Sequence, residues 1–149
     1  MPTRYTHTNI IAIDWRSLAD FYVEVFDCVP VPPERDQSGA RLARATGVAD
    51  AHLQGVHLRL PGHGEDGPTL EIYAYTQMLD KPAPAANRKG LGHLAFAVDD
   101  VAEKLEQLLA HGGQALGEVV TREVEGVGNL TFVYATDPEG NILELQRWH

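Results

Sequence analysis

The chain has a single cysteine, Cys28, in 149 residues. No disulfide can close within it, and such sparing use of cysteine fits a reducing, cytoplasmic compartment. Basic residues are few as well. Twelve Lys and Arg stand against 21 Asp and Glu, giving a net charge of −9. The cations are scattered rather than clustered, which argues against a nucleic-acid partner, since phosphate binding needs grouped Lys and Arg. No apolar run approaches the ~18–20 residues of a membrane span. The start, MPTRYTHTNI, lacks the charged-then-apolar pattern of a secretory signal. The expected partners are a small-molecule substrate and a second copy of the chain, with no membrane.

What is present is a pattern that occurs twice. "HLAFAV" (93–98) alternates between Gly92 and Asp99 and reads as a strand. Asp99 or Asp100 can cap a following helix. Val101, Leu105, Leu108 and Leu109 fall on one face of that helix, and Gly112 and Gly113 end it. "HTNIIAIDWRSLADFYVEVFD" (7–27) repeats the layout, with Asp14 as cap and Leu18, Phe21, Tyr22 and Val25 as the stripe. "AID" (12–14) matches "AVD" (97–99) at an offset of 85, whereas His7 and His93 lie 86 apart, a slip of one residue. Each half continues as apolar run, Pro/Gly/acidic turn, and strand: "GVHLRLPGHGEDGPTLEIYAY" and "LTFVYATDPEGNILELQRW". Segments 30–46 and 114–124 each leave room for one more strand. The expected fold is α+β: one domain over 1–149, built of two βαβββ modules at 5–75 and 91–148 joined by a linker at 76–90.

Each module places one histidine at the start of its first strand and one glutamate in its last: His7 and Glu71, His93 and Glu144. Strand alternation puts Glu71 on one face with Tyr73 and Tyr75, and Glu144 with Ile142 and Gln146. His93 shares its face with Ala95 and Ala97, while Leu94, Phe96 and Val98 face away. Polar and small residues thus share one side, as a cleft requires. Two imidazoles and two carboxylates suit one divalent ion of borderline hardness: Zn, Ni or Co first, then Fe or Mn. Taken singly, each residue reads as a solvated strand residue; the duplication is what favours a site. His52, His57, His63 and His111 read as structural or surface residues. His57 and Arg59 share a parity in "VHLRL", so His57 can touch the cleft and Arg59 can meet an anionic substrate, although a solvated face is the plainer reading. Cys28 has no partner that would make it a nucleophile.

"GLGHLAFAVDDV" and "YATDPEGNILEL", with "THTNIIAIDWRSLADFYVEVF" and "TLEIYAY", resemble the vicinal oxygen chelate superfamily over residues 5–148. That superfamily includes glyoxalase I, methylmalonyl-CoA epimerase, extradiol dioxygenases and the bleomycin- and fosfomycin-resistance proteins. The resemblance implies a cup-shaped mixed sheet, helices outside, around one metal held at His7, Glu71, His93 and Glu144. It implies a metal-dependent lyase or isomerase of the glyoxalase I/epimerase type. The substrate would be a small 2-oxo compound or thioester, reacting through a metal-stabilised enediolate. Glu144 would be the base and Glu71 its counterpart. Glyoxalase I carries an Asn shortly after its first Glu, in an "ELT-x-N" pattern that helps hold glutathione; here the sequence is "LEIYAY", a departure that bears on glutathione use. The alternatives are a non-haem Fe(II) extradiol dioxygenase using His7, His93 and Glu144, and a non-catalytic binding or resistance protein. A homodimer is expected.

Overall fold

A computed structural model describes residues 2–149. The chain divides into two compact units, Met1–Asp80 and Lys81–His149.

The first unit runs β1 (His7–Ile11), α1 (Trp15–Phe26), β2 (Val29–Ser38), α2 (Ala40–Thr46), β3 (His52–Arg59) and β4 (Thr69–Tyr75). Its sheet has the order β1-β4-β3-β2, with β1 parallel to β4 and the other pairs antiparallel. Asp14 caps α1 by accepting from the Ser17 amide at 3.1 Å. The expected stripe is the buried one: Leu18, Phe21, Tyr22 and Val25 are all covered, joined by Ala19 and Phe26. They lie over β3 and β4, where Val56, Leu58, Leu70 and Ile72 are buried. The segment at 30–46 is not one strand. It forms β2 and then the short helix α2, bounded by Gly39 and Gly47. Ala, Leu and Arg in "ARLARAT" favour helix over the period-2 ladder. β2 is an edge strand, and its register shifts between Val31 and Arg35, across Pro32 and Pro33, which have no amide hydrogen to give to a ladder.

The second unit runs β5 (Leu94–Ala97), α3 (Val101–Ala110), β6 (Gln114–Ala115), β7 (Val120–Val124), β8 (Gly128–Thr136) and β9 (Ile142–Trp148). β5 is parallel to β9, β9 antiparallel to β8, and both β6 and β7 pair with β8. The single strand expected over 114–124 is thus two short ones, which together occupy the place that β2 fills in the first unit. His93 immediately precedes β5 rather than opening it. Asp100, not Asp99, caps α3, accepting from the Glu103 amide at 2.9 Å. Asp14 and Asp100 lie 86 positions apart, as His7 and His93 do, so the one-residue slip disappears. On α3, Val101 and Leu108 are buried but Leu109 is exposed, outside the stripe assigned to it. The turn at Asp137–Asn141 is built on a buried aspartate. Asp137 Oδ1 accepts from the Glu139 and Asn141 amides and Oδ2 from the Asn141 side chain. That turn sets the register of β9, and with it the position of Glu144.

Candidate functional site

Strand register arranges one face of the first sheet in rows. His7, Thr69, Arg59 and Val29 form one row, and Asn9, Glu71, His57 and Val31 the next. Ile11, Tyr73, Gly55 and Arg35 form a third. Paired residues in a sheet share a face, so Glu71 lies between Asn9 and His57 with His7 on the diagonal. The side chains meet accordingly. Glu71 Oε1 accepts from Asn9 Nδ2 at 3.1 Å and lies 3.2 Å from His7 Nε2, while Oε2 lies 2.9 Å from His57 Nε2. Glu71 is 7% exposed, so one amide and two imidazoles surround a carboxylate almost withdrawn from water. Burial lowers the pKa of His57, against the opposing pull of Glu71. The Tyr73 hydroxyl is 2.7 Å from His57 Nε2, and burial, reinforced by Glu71, pushes its pKa up to about 12. Gly55 makes room for this tyrosine: a Cβ there would come within 2.4 Å of the Tyr73 ring and 2.1 Å of the Ile72 carbonyl oxygen.

The second sheet repeats the frame. Ala95, Glu144 and Tyr134 form the row equivalent to Asn9, Glu71 and His57. His93 Nε2 lies 3.0 Å from Glu144 Oε2, and its ring lies 4.7 Å from that of Tyr134. Leu143, Leu145, Val133 and Ala135, on the other face, are buried. The face alternation read from "HLAFAV" and "ILELQRW" therefore holds.

Each expected His–Glu pair is thus together within its own unit. Three partners lay outside the expected set. His57, read as structural, sits on Glu71; Asn9 holds the same carboxylate; Tyr134 stands against His93. For His57 the parity of "VHLRL" was a usable signal. Asn9 and Tyr134 had none beyond register. The remaining histidines are structural or exposed as expected. His52 lies 2.6 Å from Asp36, whose carboxyl it holds below its usual range, and His111 Nδ1 meets the Gln107 carbonyl. Cys28 is buried and its thiol is pushed up to about 12 by desolvation, which removes it as a nucleophile near neutral pH.

Among the described residues, no three or more His, Cys, Asp or Glu side chains are clustered as a metal-holding group. In chemistry and spacing each pair nevertheless fits an ion. Ligands at ~2.0–2.2 Å from one divalent ion stand about 2.8–3.6 Å from each other, octahedral at the short end and tetrahedral at the long end. The N···O separations of 3.2 and 3.0 Å in the two pairs suit a shared ion as well as a shared proton.

Repeated β-α-β-β units with parallel first and last strands define a fold class of paired modules. Residues 4–145 match the family model "Glyoxalase/Bleomycin resistance protein/Dioxygenase superfamily", and the chain belongs to that superfamily. Solved structures agree on the fold. A glyoxalase family protein from Bacillus cereus aligns at TM-score 0.75 and 19% identity, over 98% of this chain and 93% of that one. A glyoxalase/bleomycin resistance protein/dioxygenase family enzyme from Burkholderia phytofirmans aligns at 0.60 and 14%, over 97% and 98%. A glyoxalase family protein from Enterococcus faecalis aligns at 0.57 and 25%, over 96% of each chain. No curated protein matches the chain by sequence. Among the described residues no helix is long and apolar enough to cross a membrane.

Proposed function

We propose that the chain is a metal-dependent lyase or isomerase of the glyoxalase I/epimerase type, with His7, Glu71, His93 and Glu144 as ligands of one divalent ion. The set would be completed within one chain or between two copies in a cytoplasmic homodimer. The observation that carries this reading is the repetition of a His–Glu pair at the same register in both sheets. A satisfied core histidine has no reason to recur with its carboxylate at equivalent positions of two diverged units.

A bound ion supplies Lewis-acid polarisation of a substrate carbonyl. The rest falls to the chain. Glu144 presents Oε2 to His93, while no protein donor among the described residues reaches its Oε1. That uncommitted oxygen supports the role of base, taking a proton from the carbon beside a carbonyl. His93 fixes the carboxylate's orientation, and Tyr134 backs the imidazole. Glu71 is the counterpart, but its Oε1 already accepts from Asn9, and the imidazoles of His7 and His57 lie within 3.2 and 2.9 Å of its oxygens. Proton transfer therefore falls to Glu144, and holding to Glu71. The substrate class is a small 2-oxo compound or thioester.

Elemental analysis of the purified protein, followed by a screen of 2-oxoaldehyde–thiol adducts, acyl-CoA thioesters and catechols, tests this. About one Zn, Ni or Co per site with turnover of a 2-oxo compound or thioester is expected. Oxygen uptake with catechols after Fe(II) loading would instead establish the dioxygenase reading. Background metal with tight ligand binding would establish a binding protein.

A further inference from the structure

The face that carries Glu71 also carries two guanidinium groups that nothing in the proposed chemistry uses. Arg59 stands in the row of His7 and Thr69, and Arg35 in the row of Tyr73 and Gly55. The row of Glu71 and His57 lies between theirs, so the two cations flank the row of the buried carboxylate, each row one side-chain step of ~7 Å from it, with Arg59 one strand and Arg35 two strands from Glu71. Among the described residues neither has a carboxylate within ion-pair distance, in a chain of net charge −9. Both are half-buried. Arg59 Nε is moreover fully covered and has no hydrogen-bond partner, which no other buried side-chain polar atom among the described residues shares. A covered, unpaired donor on a charged group is costly and calls for a partner, a water or a ligand, that the chain itself does not supply.

The second unit offers no counterpart. Its face has Thr136 at the register position of Arg59 and Phe132 at that of Gly55. No cation stands at these equivalent positions, the position matching Arg35 being Val120, so the pair is not a by-product of duplication. Arg is the side chain suited to a two-pronged hold on an oxyanion.

We propose that Arg59, assisted by Arg35, binds an anionic group, a carboxylate or phosphate, of the small molecule that this face receives. The inference narrows the proposed function, on which it rests for the substrate's reacting end, to substrates carrying a negative charge beside the carbonyl-bearing part. Arg59 and Arg35 are then specificity residues, not catalytic ones.

Calorimetric titration of the full chain with succinate and with inorganic phosphate, at low salt and with chelator present, tests it. Saturable binding of at least one anion is expected, weakened tenfold or more in Arg59→Gln, less in Arg35→Gln, and partly retained in Arg59→Lys. Which anion binds separates a carboxylate substrate from a phosphate ester. Absence of saturable binding by either anion, or equal binding by wild type and Arg59→Gln, overturns the proposal. Should Arg59→Gln fail to fold by circular dichroism, Arg59→Lys and Arg35→Gln give the same reading. Metal content is measured in parallel. Anion binding without metal sinks the metal-dependent reading and leaves this one standing, while metal without anion binding does the reverse.

Discussion

Glu71 accepts from Asn9 and is approached by His7 and His57; Glu144, at the same register position of the second sheet, has His93 alone among the described residues. Where the first unit has Asn9 and His57, the second has Ala95 and Tyr134, which leave the carboxylate fewer hydrogens to accept. Duplication supplied two equal frames, and side-chain replacement then made one carboxylate a held group and the other an available one. The strongest way to break that contrast is to neutralise each carboxylate in turn. Glu144→Gln is expected to lower turnover of whichever substrate the screen identifies by about 10²–10⁴-fold while metal content is retained. Glu71→Gln is expected to act mainly on metal content, read by elemental analysis. Unchanged turnover in Glu144→Gln with metal in place removes its role as base.

The helices differ in the same sense. α1 buries six residues, α3 only Val101 and Leu108. Leu18 is fully covered, while Leu105, a leucine of the second stripe, is half-buried. Truncation leaves a cavity only where neighbours close over the side chain. Leu18→Ala is therefore expected to cost about 2–5 kcal/mol, and Leu105→Ala about 1 kcal/mol, half-burial giving half or less of the transfer term. Urea unfolding of the two variants checks it; comparable losses would show that α3 is packed as tightly as α1.

A third difference lies two residues beyond each glutamate. Tyr73 faces Gly55 across the strands, whereas Gln146 faces Phe132. The first sheet needs a glycine there because the Tyr73 ring lies over β3 to reach His57. Gly55→Ala puts a methyl group against backbone as well as ring, and overpacking of this kind costs about 1–3 kcal/mol. The accompanying sign is a shifted His57 imidazole resonance as the Tyr73 hydroxyl moves away. Loss of stability with that resonance unmoved would mean the strain is taken up by the Ile72 backbone instead.

These contrasts also show which parts of the molecule the residues disclosed in advance. The α1 stripe, the caps and the strand alternation depend on neighbours within a turn or two, so periodicity reveals them. The His–Glu pairs became visible because duplication printed them twice. His57 and Tyr134 are different. Their place beside a glutamate is decided by how β3 and β8 register against β4 and β9. That register depends on the path of the chain through residues 60–68 and 137–141, where no residue announces how many positions a turn consumes. α2 was hidden for a simpler reason: seven residues are too few for a helical period to stand out from a strand. The linker expected at 76–90 likewise gave no hint that Lys81 reaches the Asn141 side chain at 2.9 Å.

The smallest expected effect tests the alignment of the units themselves. "AID" and "AVD" invite pairing Asp14 with Asp99, at an offset of 85. Yet the histidines, the residues opposite the two glutamates (Asn9 and Ala95), and the caps Asp14 and Asp100 all stand 86 apart. The agreement is physical. A cap must meet the amide three residues on, and that amide is placed by where the helix begins over the sheet. Shifting the cap by one would turn α3 by about 100° and carry Val101 and Leu108 off the sheet. Asp100→Ala is therefore expected to cost about 1 kcal/mol, as Asp14→Ala does, and Asp99→Ala less than about 0.5 kcal/mol, read as shifts in urea midpoint at constant slope. Equal losses at Asp99 and Asp100 would mean that the second helix starts one residue earlier and that the slip between the halves is real.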